Sequence, residues 1–166
     1  QAAGDYEAAA GYFDRALAIA RKQTPPDHGV IGTLANNIGL LALDTGKTQS
    51  AVEYFRESIA EHKAGGPEHD IDQITPLANL ALALKQLGRF AEAEPAYLEA
   101  IEKTRATLGP ENPQLALYIS NYAVLLFEKH DASAGLARYR EALAIQRKAF
   151  SGAHPDIAVT LDNLGS

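Results

Sequence analysis

Apolar residues recur along this chain at helical spacing, not in alternation. Ala51, Tyr54, Phe55, Ser58 and Ile59 stand at i, i+3, i+4, i+7 and i+8, which puts them on one stripe of a helix with a single buried face. The pattern predicts two kinds of helix in alternation. First helices run over about 31–44, 72–87 and 114–129, and second helices over about 6–23, 48–63, 90–107 and 132–149. One stretch resists the pattern. "TLANNIGL", Thr33 to Leu40, sets two asparagines side by side in a helix interior, although the Asn amide competes for nearby backbone groups and lowers helix propensity.

Shifting the sequence by 42 residues superimposes Asn37, Asn79, Asn121 and Asn163. The same shift aligns Gly4, Gly46 and Gly88, then Ala9, Ala51 and Ala93, then Phe13, Phe55, Tyr97 and Tyr139, and also Leu17, Ile59, Ile101 and Leu143. Small, aromatic and aliphatic columns that hold register in this way mark an internal repeat. The aromatic column is expected between helices. The repeats divide as 1–28 (partial), 29–70, 71–112, 113–154 and 155–166 (the start of a fifth), a single array over the whole chain. Gln1 to Ala3 read as the tail of a first helix, and "HPDIAVTLDNLGS" as the front of another. One helix pair of this size cannot bury its apolar face alone, so neighbours must stack. The expected fold is all-α, a right-handed superhelical solenoid of antiparallel helix pairs.

The connections also carry readable chemistry. Gly46 and Gly88 fall where a first helix must end in a left-handed residue, and His130 takes that place in the next repeat. Glycine adopts positive φ cheaply, and histidine does so more readily than most residues, so the turn is expected to persist. In "GPENPQLA" and "GAHPDIA", Asn112 and His154 precede a proline, the order of a capping residue followed by the first helical position. Asp70 and His28 share that column. Pro76 and Pro95 lie within about a turn and a half of a helix start, where a local distortion is expected but not a break.

These columns resemble a known family. The run "A..YFRESIAEHK" after Gly46, with the small residue Gly39, Ala81 or Ala123 in the first helix, is similar to the tetratricopeptide repeat. The 42-residue spacing, the "NNIG" and "LANLALAL" openings and the "LGPENPQLA" linkers resemble its kinesin-light-chain type. The resemblance implies a non-catalytic scaffold or adaptor that binds a linear peptide or partner protein along a concave surface lined by the first helices. The alternative is a regulatory or self-associating array within a larger multidomain signalling enzyme.

On the first helix of the second repeat, Ala35, Ile38, Gly39 and Ala42 share one side, while Thr33, Asn37, Leu40 and Asp44 lie nearly opposite. The matching outward stripes are Thr75, Asn79, Leu82 and Gln86, then Leu117, Asn121, Val124 and Glu128. Each asparagine amide offers donors and an acceptor, enough to hold a peptide's C=O and N–H together. Leu40, Leu82, Val124, Leu43 and Phe127 are expected to add shallow apolar pockets, with Lys85 the cation among acids and amides at these positions. Asn37, Asn79, Asn121 and Asn163 can instead bond to one another or to a neighbouring helix as a structural ladder. Asn36 shares its column with Ala78, Ser120 and Asp162. It is read as a variable position beside the ladder, suited to sensing ligand identity.

Composition mainly excludes. The chain has 166 residues, no cysteine and a net charge of -6 with a pI near 5.3. Its Lys and Arg residues are dispersed, which argues against a surface that tracks nucleic-acid phosphates. Too few basic residues flank the asparagines to clamp a terminal carboxylate. No apolar run is long enough to span a membrane, no signal-peptide layout is present, and a cytoplasmic location is the default expectation. No cofactor or metal is expected. His28 and His154 share a column three repeats apart, and His62 and His69 flank "AGGPE" without a converging carboxylate pair, so the histidines are read as solvated linker or capping residues. No nucleophilic triad, phosphate loop or zinc-helix motif occurs, so the chain is not expected to be an enzyme. The truncated ends would expose apolar stacking faces, so self-association is possible.

Overall fold

The computed structural model describes residues 2–150 and 152–165, with side chains from Ala8 onward. Among these residues there are eight α-helices and no strand. The chain divides into two compact units, Gln1–Arg89 and Phe90–Ser166, and the division falls inside the third repeat. The first unit holds α1 (Ala2–Ala20), α2 (His28–Asp44), α3 (Thr48–Gly65) and α4 (Ile74–Gln86). The second holds α5 (Phe90–Leu108), α6 (Pro113–Glu128), α7 (Ala132–Ala149) and α8 (Pro155–Gly165).

Helix ends follow the expected chemistry with three corrections. Asn112 accepts from the Gln114 N–H at 2.9 Å ahead of Pro113, and His154 Nδ1 accepts from the Asp156 N–H at 3.2 Å. In the second repeat the cap is Asp27, which accepts from the Val30 N–H at 3.0 Å, so His28 is the first helical residue. In the third repeat Asp70 caps no helix with its side chain. Two 3-10 turns, Pro67–His69 and Ile71–Gln73, precede α4, and Asp70 instead accepts from the Gln73 amide at 3.1 Å. Ala2 and Ala3, read as the tail of a first helix, instead belong with Gly4 to α1, the helix that follows. Gln1 lies outside the described residues. Pro76 sits in the first turn of α4 and Pro95 inside α5, and both helices run on through them.

The turn after each first helix is the same backbone device in three repeats. Gly46, Gly88 and His130 have φ of 75°, 70° and 63°. In each turn the next residue's N–H reaches back across the helix end: Lys47 to Ala42 O at 2.7 Å, Arg89 to Leu84 O at 2.9 Å, and Asp131 to Leu126 O at 2.9 Å. This is a Schellman arrangement, which satisfies carbonyls that the helix end would otherwise orphan. It forms at His130 as fully as at the glycines.

Within each unit the helix pairs interlock small residues with rings. Phe55 is fully buried, and its ring lies where Gly39 leaves room; a Cβ on Gly39 would come within 2.6 Å of it. In the second unit the volumes are traded. The position that matches Gly39 is Ala123, and the gap sits on α7 at Gly135, where an added Cβ would meet the Phe127 ring at 2.6 Å. Phe127 and Tyr139 lie with ring centres 5.8 Å apart. Phe55, Tyr97 and Tyr139 are buried, and Phe13 packs against the cluster of Leu17, Ala20, Ile31 and Ile38, so the aromatic column is core, as its register predicts.

Candidate functional site

On α2 the predicted split between faces holds. Ala35, Ile38, Gly39 and Ala42 are buried, Thr33, Leu40 and Asp44 are exposed, and Asn36 and Asn37 are half-buried. On α4, Thr75 and Gln86 are exposed, and Asn79, Leu82 and Lys85 are half-buried. Asn79 Nδ2 donates to Asn36 Oδ1 at 3.1 Å. The ladder asparagine of the third repeat is therefore joined to the position beside the ladder in the second. Asn36 is a structural partner here, because its side chain is just long enough to reach the next first helix. Other stripe members also have local duties. The Thr33 hydroxyl donates to Gly29 O at 2.9 Å, Asp44 lines a cleft of about 650 Å³ with Asp14 and Tyr54, and Lys85 is engaged within the protein.

The second unit is arranged differently. A cavity of about 160 Å³ opens between α6, α7 and α8, bordered by Asn121 and Asn163. Leu117, Val124 and Val159 line it with apolar surface. Two further lining residues have buried oxygens without a hydrogen-bond partner, Ser120 Oγ and Gln146 Oε1, and Gln146 is only 5% exposed. A buried polar atom left unpaired is costly, on the order of 1–3 kcal/mol, which sets these two oxygens apart from the rest of the lining. Glu128 is exposed and engaged in contacts of its own. Phe127 is not among the residues that line this cavity; its half-buried ring fills the Gly135 gap between α6 and α7.

The back of α6 is held by charge and burial. Tyr122, buried, donates to Glu94 Oε1 at 2.8 Å, and Lys129 pairs with the other carboxylate oxygen. Burial, reinforced by the hydrogen bond to Glu94, pushes the Tyr122 phenol up to about 12. Lys129 and then Tyr122 hold the Glu94 carboxyl below its usual range. Acids and bases on the second helices pair across neighbouring repeats, Arg21 with Glu57 and Arg105 with Glu141 at 2.9 Å. These exposed pairs fit a solvated outer face.

The shift that aligns the asparagines also aligns Ala20, His62, Thr104 and Gln146, all buried on second helices. Polar residues in an otherwise internal column are the signal that could have pointed to Gln146. They also bear on the histidines. His62 is buried, not solvated, and His69 Nδ1 lies 2.8 Å from Asp72 Oδ2 beside it, so a carboxylate does converge there.

Stacked antiparallel helix pairs with a repeating exposed stripe on the first helices define the all-α helical-repeat scaffolds of the α-α superhelix class. Tetratricopeptide repeat models match residues 1–60 and 77–114, together more than half the chain, and the chain belongs to the tetratricopeptide repeat family. It is similar to the crystal structure of BtubC (BKLC) from P. vanneervenii, with a TM-score of 0.91 and 26% identity over 99% of this chain and 66% of that one. The nearly identical TPR-like repeats of a Podosopora anserina kinesin light chain match with a TM-score of 0.81 and 19% identity, over 99% of this chain and 78% of that one. The N-terminal domain of stress-induced protein-1 from C. elegans matches with a TM-score of 0.62 and 18% identity, over 84% of this chain and 98% of that one. No functionally curated protein matches the chain. The family is one of protein-interaction scaffolds, typically non-catalytic. No described helix is long and apolar enough to cross a membrane.

Proposed function

We propose that the first helices of each unit bind an extended peptide, with the α6–α8 face as the principal seat. The observation that carries this reading is the cavity bordered by Asn121 and Asn163, in which Ser120 Oγ and Gln146 Oε1 are buried without partners. A peptide backbone supplies N–H donors for these oxygens and a carbonyl for the Asn121 amide, whatever its side chains are. The apolar lining from Leu117, Val124 and Val159 takes one aliphatic side chain of the ligand. Asn37 and Leu40 on α2, with Leu82 on α4, form the corresponding but weaker contact surface of the first unit. Asp156 at the rim and the acidic balance of the chain favour a ligand without a free carboxylate end.

Selection from a displayed library of short random peptides tests this. Peptides captured by the chain are expected to lose about tenfold or more in affinity, about 1.4 kcal/mol, on Asn121→Ala and on Gln146→Leu, with the thermal midpoint kept. Peptides that bind both variants as well as the parent would place recognition elsewhere.

A further inference from the structure

Three side chains outside the peptide-binding reading converge beside the start of α2. His62, in the last turn of α3, is 2% exposed, and its Nδ1 has no hydrogen-bond partner. Its ring lies against Gly32, where an added Cβ would come within 2.8 Å. His69, from the first 3-10 turn, has its ring centre 6.0 Å from that of His62, and its Nδ1 is 2.8 Å from Oδ2 of Asp72 in the second turn. Gly29 and Gly65 clear space for the His69 ring; a Cβ on either would lie within 2.6 Å and 2.5 Å of it. Ligand atoms of His62, His69 and Asp72 all lie within 4.8 Å of one another.

We propose that His62, His69 and Asp72 form a binding site for a zinc-class divalent metal ion. Two imidazole nitrogens and a carboxylate oxygen are a donor set that Zn²⁺ accepts, with a fourth position open to water. Metal–ligand distances of about 2.0–2.2 Å require the three atoms to draw in from their present spread. His69 and Asp72, partly exposed in short turns, have the freedom to do so. Burial lowers the pKa of His62, so at neutral pH this imidazole is uncharged and offers a lone pair. On binding, the ion takes the place of the proton between His69 Nδ1 and Asp72 Oδ2, and the neutral His69 ring carries its one N–H proton at Nε2 instead. A hollow of about 430 Å³, lined by Val30, Thr33, Leu34, His69 and Asp72, gives the ion a way in. Bound there, the ion would tie the 66–73 linker to α3 beside α2.

The test titrates the 166-residue chain with ZnCl₂ by calorimetry and with CoCl₂ by visible absorption. The expected result is one ion per chain, tetrahedral Co²⁺ bands and a thermal midpoint raised by Zn²⁺. His69→Ala and Asp72→Ala, which leave the buried His62 in place, should each weaken binding by more than about tenfold. His154→Ala should leave it unchanged. Absence of binding heat and of Co²⁺ bands overturns the site, as does binding undiminished in His69→Ala and Asp72→Ala or lost in His154→Ala.

Discussion

In α2 and α4 the amide next to the asparagine column is closed upon it, with Asn36 accepting from Asn79 at 3.1 Å. In α6 and α8 the corresponding position is Ser120, whose oxygen is buried without a partner beside a cavity that Asn121 and Asn163 border. The backbone register is the same, and the difference is reach. An asparagine spans the gap to the next first helix, whereas a serine leaves the gap open. One column can therefore brace the stack in one unit and present a pocket in the other. The supporting helices differ in the same spirit: α2 carries Gly32 and Gly39 where α6 carries Ala116 and Ala123.

The largest effect should come from erasing that last difference. Gly39→Ala writes the α6 residue into α2, yet the new Cβ would sit 2.6 Å from the fully buried Phe55 ring. A net loss of about 1–2 kcal/mol is expected after alanine's better helix propensity is counted, read as a fall in thermal midpoint of about 2–4 °C per kcal/mol. Ser120→Asn sharpens the comparison from the other side. It should fill the pocket and weaken selected peptides by about tenfold, or 1.4 kcal/mol, without lowering stability; unchanged peptide affinity would separate the pocket from recognition.

Asn36→Ala should cost about 0.5–1.5 kcal/mol by removing one hydrogen bond, whereas Asn121→Ala should leave denaturant unfolding unchanged. Equal losses in the two variants would mean that both faces are structural. The smallest effect is one of pH. Burial holds the folded pKa of His62 below the unfolded value near 6.5. Between those two pKa values the unfolded chain binds more protons, so stability present above about pH 6.5 is lost as pH falls. Gln146 fills the same column in the second unit and does not titrate. Protection factors in hydrogen exchange, which remove the intrinsic pH dependence of the amides, should therefore fall with acid in α2 and α3, with this contribution removed by His62→Gln.

Much of this was legible in the sequence. The helices, the left-handed turns, the aromatic core column and the exposed stripe all follow from period and register, because each depends on a residue's place along its own helix. What escaped depends on a side chain far away in sequence. Phe127 reads as a pocket residue until Gly135 opens a gap for its ring. Asn36 reads as variable until Asn79 comes within reach of it. His62 reads as solvated until Gly32 on α2 admits its ring to the interior. Periodicity reports which face a residue occupies. It does not report how far its side chain extends or what stands opposite.

The turn at His130 bears on how such arrays are counted. The family matches end at residue 114, ahead of the repeat that lacks the turn glycine. Yet its backbone reaches φ 63° and closes with Asp131 bonded to Leu126 at 2.9 Å. A repeat can thus drift away from its signature letters while keeping its joint. A census of these proteins that followed the hydrogen-bonded joint would find repeats that one following glycine would miss.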